Sequence, residues 1–215
     1  MRKGTGTRDA VASSLQQSPI VGVVRTKSEQ EAKHQAELFM SGGIELIEIT
    51  FTVPEALALV RALIAAREES GPPWIGMGTV SDIGRADAAV AAGAEFLVSP
   101  NTSSAVASVA RHSDVLLILG ALTATEIIAA RDLGADIVKV YPLPPVGGAA
   151  YLETVRQPLD DIPMLAAGGF SVDEIPEYRA AGAAAFGIGA PLLGDNDEAT
   201  HQRIAQALRL AREQE

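Results

Sequence analysis

The sequence contains no cysteine, and only 4% of its 215 residues are aromatic. The absence of thiols excludes disulfide bonds and thiolate metal sites. No apolar run approaches the roughly 20 residues that a transmembrane helix requires. Basic residues are in the minority. The sequence has 17 lysines and arginines against 27 acidic residues, which gives a formal net charge of −10. We therefore predict a protein that binds neither nucleic acid nor a membrane.

The amino-terminal segment carries positive charge at Arg2 and Lys3 but contains no apolar stretch. A secretory signal needs such a stretch, of about 7–15 residues. We therefore expect no signal peptide. Together with the lack of cysteine, this favours a cytoplasmic protein.

Short β-branched segments alternate with alanine-rich helical segments along almost the whole chain. This alternation is typical of βα units in a parallel sheet. Several helical segments end in glycine just before a strand, where glycine supplies the left-handed residue that ends many helices. The predicted strands cover residues 19–25, 44–51, 74–79, 95–100, 115–120, 136–142, 162–169 and 184–190.

Eight such units in 215 residues predict an α/β fold, a (β/α)8 TIM barrel near the lower size limit of that fold. We expect a single domain over residues 1–215, with an extra N-terminal helix over 7–17 and a last helix over 198–215. An open doubly wound sheet is the alternative. It is disfavoured because eight units are present and no glycine-rich dinucleotide motif follows the first strand.

Polar residues interrupt the predicted strands near their carboxyl ends, where a barrel carries its active site. The segment ADIVKVYP places a lysine inside an apolar strand, although an ammonium is costly to bury. Alternate side chains of a strand point inward. Counting alternate positions puts Ile44 inward on the second strand and Ile75 and Met77 inward on the third. It brings five residues to one barrel mouth: Arg25, Glu48, Thr79, Pro100 and Lys139.

This set of side chains suits carbonyl chemistry. A lysine with a lowered pKa attacks a ketone and forms an imine, which withdraws electrons from neighbouring bonds. Arg25 would help to lower the pKa of Lys139 and would hold a carboxylate, while Glu48 would move protons. The residues alone leave two structural interpretations open. Lys139 could reach solvent from a strand end, and Glu48 could merely pair with a cation inside the barrel.

Seven motifs, in this order along the chain, resemble the class I aldolase family that acts on 2-keto-3-deoxy-6-phosphogluconate (KDPG) and 4-hydroxy-2-oxoglutarate (KHG). They are VVRTKSEQEA, GGIELIEITFTVPEA, GMGTV, AGAEFLVSPN, LTATE, LGADIVKVYP and AAGGF. The resemblance implies a homotrimeric (β/α)8 barrel that cleaves a 2-keto-3-deoxy-4-hydroxy acid to pyruvate and an aldehyde, either glyceraldehyde 3-phosphate or glyoxylate. We expect a small keto-acid substrate, no cofactor and no metal.

The resemblance also implies a role for each residue that matches a family motif. Lys139 in KVYP matches the Schiff-base lysine, and Glu48 in IEIT matches the general acid/base glutamate. The pyruvate pocket is matched by Thr79, Pro100 and Tyr141.

Two departures from the family concern substrate binding. Thr52 stands where many members have arginine, whereas other members carry an arginine after the first strand, as Arg25 does here. We assign Arg25 to the substrate carboxylate and place Thr52 in the same binding site.

At the distal end, Ala167 and Ala190 replace hydroxyl residues that often help to bind phosphate. Backbone N–H groups of Gly168, Gly169, Gly189 and Ala190 remain available. Two lost hydroxyls would lower phosphate affinity about 5- to 100-fold. We therefore expect a weaker preference for a phosphorylated substrate, and the aldehyde, the C4 stereochemistry and the physiological direction stay open.

Other functions remain as alternatives. A metal-dependent pyruvate aldolase is disfavoured, because His34, His112 and His201 fall in helical or loop segments without metal-ligand spacing. A non-catalytic barrel that binds a small keto acid or phosphorylated ligand is left open by the altered phosphate motif and by Leu119, which replaces a family proline on the fifth strand. There we expect a local backbone change. A purely structural trimer leaves Lys139 and Glu48 unexplained.

Overall fold

The computed structural model describes residues 6–67 and 71–213. Eight parallel strands close into a barrel in chain order, which confirms the predicted (β/α)8 fold and excludes the open sheet. The strands are β1 (Ile20–Val24), β2 (Leu46–Thr50), β3 (Trp74–Gly78), β4 (Phe96–Val98), β5 (Leu116–Ala121), β6 (Ile137–Val140), β7 (Met164–Ala167) and β8 (Ala185–Ile188). Each of them overlaps one predicted segment.

Helices connect the strands and surround the barrel. They are α1 (Thr7–Gln17), α2 (Glu29–Ser41), α3 (Ala56–Ala65), α4 (Ile83–Ala91), α5 (Ser104–Ser113), α6 (Ala124–Asp132), α7 (Gly148–Arg156), α8 (Ile175–Ala180) and α9 (Asp197–Arg212). Short 3-10 turns lie at Pro144–Val146, Gln157–Leu159, Val172–Glu174 and Ala190–Leu192. α1 matches the predicted N-terminal helix. α9 covers most of the predicted last helix, of which residues 214–215 lie outside the described part.

The helix starts follow local sequence signals. A side-chain oxygen of the residue before the helix accepts a backbone N–H bond at five of these starts, which stabilises the first turn. The capping residues are Ser28, Asp82, Ser103, Thr123 and Asn196.

Two apolar layers form the core. The larger one lies between the strands and the surrounding helices, and the smaller one fills the barrel interior and includes Leu46, Phe96 and Leu165. Val11 and Leu15 of α1 pack against this inner layer, and Trp74 Nε1 donates a hydrogen bond of 2.8 Å to Ser14 Oγ. Because Trp74 begins β3, α1 closes the amino-terminal end of the barrel. The carboxyl ends of the strands are therefore the accessible face.

The expected inward positions on β3 are wrong. Trp74 belongs to the inner layer, whereas Ile75 and Met77 pack outward against the helices. The inward positions after Trp74 are Gly76 and Gly78, which have no side chain to reveal the face. Strand β3 ends at Gly78, so Thr79 lies beyond it.

The expected inward position of Ile44 is also wrong. Ile44 precedes β2 and lies in the outer layer. On β5, Leu119 likewise packs in the outer layer and pairs with Val138 within a continuous register, where its backbone takes part in the ladder.

Candidate active site

Lys139 and Glu48 meet inside the barrel. β6 carries Lys139 and β2 carries Glu48, and these strands are opposite each other in the eight-stranded ring. The side chains are 12% and 2% exposed, and the distance from Lys139 Nζ to Glu48 Oε2 is 3.9 Å. An amine and a carboxylate at this distance can exchange a proton through a small shift or one water molecule.

The Glu48 carboxylate has a free acceptor. Its Oε1 is buried and has no hydrogen-bond partner among the described residues. Buried polar atoms are nearly always paired, so an unpaired one in a native site points to a functional partner. The carboxylate lies against Gly78, where an added Cβ would be 2.5 Å from Glu48 Cγ and Cδ and closer still to Oε1. Only glycine therefore leaves room for Glu48 in this position.

Arg25 and Thr79 follow the two strands that flank β2, and they come together at the barrel mouth. Arg25 Nη2 donates to Thr79 Oγ1 at 3.4 Å. Thr79 reaches this position from a left-handed backbone with φ of 61°, and Arg85 Nη1 donates to its carbonyl at 3.1 Å. An L-residue is uncommon in this region of φ, and such residues cluster at binding sites. The backbone turn explains how Thr79 faces the mouth despite the wrong register expectation.

A cavity of about 420 Å³ opens beside Lys139 at the carboxyl ends of β6, β7, β8 and β1. Most of the predicted binding residues line it: Arg25, Tyr141, Gly168, Gly169, Gly189 and Ala190. The floor is glycine- and alanine-rich, since Ala167 and Gly187 also contribute. The structure therefore places the Schiff-base candidate and the distal-end candidates around one space.

Tyr141 forms the outer side of the lysine environment. Its ring centroid is 5.5 Å from Lys139 Nζ, and the residue is 44% exposed. The ring therefore lies near the amine and is itself open to solvent.

Pro100 and Thr52 lie outside the walls of this cavity. The Pro100 carbonyl lies directly over Gly120, which is paired with Lys139 in the β5–β6 ladder. Thr52 is exposed, and its Oγ1 is 2.8 Å from Oγ1 of the buried Thr50. Pro100 is thus one strand away from the lysine, and Thr52 contacts Thr50 at the end of β2.

The histidines lie away from this site. His34 contacts Asp197, His201 contacts Ser41, and His112 contacts the carbonyl of Ser108, all on the outer helices. Within residues 6–67 and 71–213, no group of three or more His, Cys, Asp or Glu side chains could hold a metal ion. Within the same residues, no helix is both long enough and apolar enough to span a bilayer.

Similarity to known proteins agrees with this geometry. The model of the KDPG and KHG aldolase family matches residues 11–207. The chain belongs to the KDPG and KHG aldolase family. The 2-dehydro-3-deoxy-phosphogluconate aldolase of Treponema pallidum is 31% identical over 170 residues, which cover 79% of this chain and 80% of that protein. The family resemblance predicted from the motifs is confirmed, and the chain is an aldolase, a carbon–carbon lyase.

Further relatives cover more of the chain. The 2-dehydro-3-deoxy-6-phosphogalactonate aldolase of Escherichia coli is 28% identical over 198 residues, 91% of this chain and 95% of that protein. A solved 4-hydroxy-2-oxoglutarate/2-dehydro-3-deoxyphosphogluconate aldolase superposes with a TM-score of 0.81 at 29% identity, over 97% of this chain and all of that one. The similarity thus extends over the whole barrel of this aldolase.

Three of the residues that sequence reasoning missed bear on the chemistry of the site. Glu31 and Gln35 of α2 line the cavity, and Gly78 makes room for Glu48. Glu31 is part of the motif VVRTKSEQEA, and its spacing of four from Gln35 places both on one helix face. A helix that follows β1 begins at the barrel mouth, so this spacing was the signal that would have found the pair.

Proposed function

We propose that this aldolase cleaves a 2-keto-3-deoxy-4-hydroxy acid through an imine formed on Lys139, and releases pyruvate and an aldehyde. The observation that carries the proposal is the buried pair in which Lys139 Nζ lies 3.9 Å from Glu48 Oε2. Imine chemistry requires an amine and a proton-transfer group. The cavity wall provides both, because the amine of Lys139 lies next to one buried carboxylate.

The reaction begins when the neutral amine of Lys139 adds to the C2 ketone. Loss of water gives an iminium ion, and Glu48 donates and accepts the protons of these two steps. Glu48 then accepts the C4 hydroxyl proton while the C3–C4 bond breaks. The electrons of that bond move to the iminium nitrogen, so an aldehyde leaves and an enamine of pyruvate remains. Protonation at C3 and hydrolysis release pyruvate and restore the amine.

Arg25 supplies the fixed charge for the substrate carboxylate. Its guanidinium is held toward the mouth by the hydrogen bond to Thr79. Arginine forms paired hydrogen bonds with a carboxylate, which fixes the orientation as well as the affinity. Gly168, Gly169, Gly189 and Ala190 also line the cavity, and their backbone N–H groups receive the distal end.

Borohydride trapping with pyruvate tests the proposal. Reduction of the wild-type protein with pyruvate should add one reduced pyruvate unit, which peptide mapping should assign to Lys139. Lys139→Met should give no adduct. The matched control is Lys33→Met, since Lys33 is 63% exposed on α2 and its loss should leave the adduct intact.

Glu48→Gln separates the two roles. Loss of a positioned acid/base group costs about 10²–10⁴-fold in turnover. We expect that loss in the cleavage rate, with part of the pyruvate trapping retained. Absence of any adduct in the folded wild-type protein at saturating pyruvate would instead favour the non-catalytic binding barrel.

The assembly and location are part of the same proposal. We propose a homotrimer, as the family resemblance implies. A designed porous cage built from fused symmetric oligomeric domains contains a chain similar to this one, with 27% identity and a TM-score of 0.80 over 90% of this chain. Sedimentation should give three times the 22.3 kDa of the chain. We propose a cytoplasmic location, which suits a protein without cysteine and is tested by cell fractionation.

A further inference from the structure

Two side chains near the start of α2 form one wall of the cavity. Glu31 and Gln35 both line it, and we call this pair the α2 wall. Gln35 is 8% exposed, and its Nε2 donates to Glu31 Oε1 at 3.2 Å. An amide that is more than nine-tenths buried therefore holds the carboxylate at the cavity.

The Glu31 carboxylate does not complete a capping box at the start of its helix. Ser28 and Glu31 form the Ser-x-x-Glu sequence of a capping box, and the equivalent boxes are complete at Thr123–Glu126 and Ser171–Glu174. At α2, Ser28 Oγ accepts the Glu31 N–H, but the return bond from Ser28 N–H to Glu31 is absent among the described residues. The carboxylate is instead turned to Gln35 and the cavity.

The α2 wall lies next to the part of the cavity that would receive a distal phosphate. The end of β8 abuts the end of β1, since a Cβ on Gly189 would be 2.7 Å from the Val23 carbonyl oxygen. α2 follows β1 directly. Glu31 and Gln35 therefore face the same space as the loop at Gly189 and Ala190.

The chemistry of this wall opposes an anion. An ionised carboxylate only accepts hydrogen bonds, and the Gln35 amide hydrogen that is engaged already points to Glu31. The cations at this cavity have other assignments, because Arg25 contacts Thr79 and holds the substrate carboxylate in the proposed reaction, and Lys139 forms the imine. Lys33 pairs with Glu37 at 3.8 Å on the outer part of α2. A phosphate ester carries about −1.5 to −2 charges at pH 7, so it would be repelled.

The loops after β7 and β8 offer a phosphate backbone N–H groups but no side-chain hydroxyl at the cavity surface. The backbone N–H of Ser171 already donates to Glu174 Oε2 at 2.7 Å. Ala167 and Ala190 provide no hydroxyl at the cavity surface. By contrast, a carboxylate oxygen and an amide oxygen are good acceptors for adjacent sugar hydroxyls.

We propose that the α2 wall makes this enzyme selective for substrates with a neutral, hydroxyl-bearing distal end: 2-keto-3-deoxy aldonic acids without phosphate. Glu31 and Gln35 accept hydrogen bonds from the distal hydroxyls, and Glu31 repels a phosphate or a second carboxylate. The inference rests on the proposed aldol cleavage and adds its substrate class.

The test compares kcat/KM for 2-keto-3-deoxygluconate with that for its 6-phosphate. The wild type should prefer the neutral acid. Glu31→Gln should raise kcat/KM for the phosphate ester about tenfold, because a repelling charge is removed. It should lower kcat/KM for the neutral acid, because the amide has one oxygen acceptor where the carboxylate has two. Inorganic phosphate should also inhibit the variant more strongly than the wild type. The matched control is Glu37→Gln, which removes the same charge from the outer part of α2 and should change neither substrate by more than about twofold.

The outcomes separate this inference from the proposed function. A pyruvate adduct on wild-type Lys139, together with a preference for the phosphate ester, would overturn the selectivity and leave the aldolase mechanism standing. Equal effects of Glu31→Gln and Glu37→Gln would also overturn it, since net charge alone would then explain the change. Absence of the adduct would remove both proposals.

Discussion

Replacing Gly78 by alanine tests whether the position of Glu48 controls the reaction. An added Cβ would be 2.5 Å from Glu48 Cγ and Cδ, whereas ordinary van der Waals contact begins at 3.4 Å. Glu48 must therefore withdraw by at least about 1 Å, and a misplacement of 1 Å costs a catalytic group about 100-fold in rate. We expect kcat for aldol cleavage to fall by about that factor in Gly78→Ala.

Gly76→Ala is the matched control. It lies two residues earlier on β3, also points inward, and places its Cβ 2.5 Å from the ring of Phe96. Both variants overfill the barrel interior, so both should lose about 1–3 kcal/mol of unfolding free energy in urea titrations. Only Gly78→Ala pushes on the carboxylate. If the folded Gly78→Ala enzyme keeps kcat within about threefold of wild type, or if both variants lose the same factor, the reasoning about Glu48 fails.

Three predictions concern stability rather than chemistry. Arg67 contacts the Glu95 carboxylate at 2.8 Å, and both side chains are 12% exposed. Glu95→Ala should therefore lower the unfolding free energy in urea by about 3–5 kcal/mol. A loss below about 1 kcal/mol would show that solvent screens the pair. Thr123→Ala removes the capping box of α6 and should cost about 1 kcal/mol, whereas Thr154→Ala on exposed α7 should cost less. Hydrogen bonds from the Thr123 backbone first, and then from the Leu122 backbone, lower the pKa of Glu126 below its ordinary 4.5. The stabilisation that Glu126 gives the fold is therefore complete above about pH 4.5 and is lost as the pH falls through the lowered pKa. The difference in unfolding free energy between wild type and Glu126→Gln should shrink in that range. A difference that stays constant down to pH 3 would contradict the assignment.

Much of the fold could be predicted because its signals are local. The glycines that precede strands in SGGIEL, AAGAEF, DLGADI and AAGAAAF adopt φ values of 89–91° at Gly43, Gly93, Gly134 and Gly182, as a left-handed helix end requires. The alternation of strand and helix segments then leaves few topologies other than a barrel. Lys139 and Glu48 could also be predicted, since a charged residue is unusual within an apolar strand and the pleat fixes the side to which it points.

The inward face of β3 could not be read because its pattern is carried by residues without side chains. Ile75 and Met77 form an apolar alternation that predicts an inward face, yet the barrel interior at this level is filled from neighbouring strands by Phe96 and Glu48. Positions 76 and 78 are glycine because those side chains occupy the space that a Cβ would need. Such complementarity between the side chains of neighbouring strands appears only when the strands pair.

Glu31 illustrates a different limit, because its local sequence supports an incorrect role. Ser28-x-x-Glu31 predicts a capping box, and two similar sequences in this chain do form one. The competing partner is Gln35, which is buried by the packing of α2 against the barrel and holds the carboxylate one turn further along. The free energy of one exposed helix-end hydrogen bond is only about 0.5–1.5 kcal/mol, so a buried amide can redirect the side chain. A residue that the motif would assign to helix stability thereby becomes part of the cavity surface, and its charge becomes available for substrate selection.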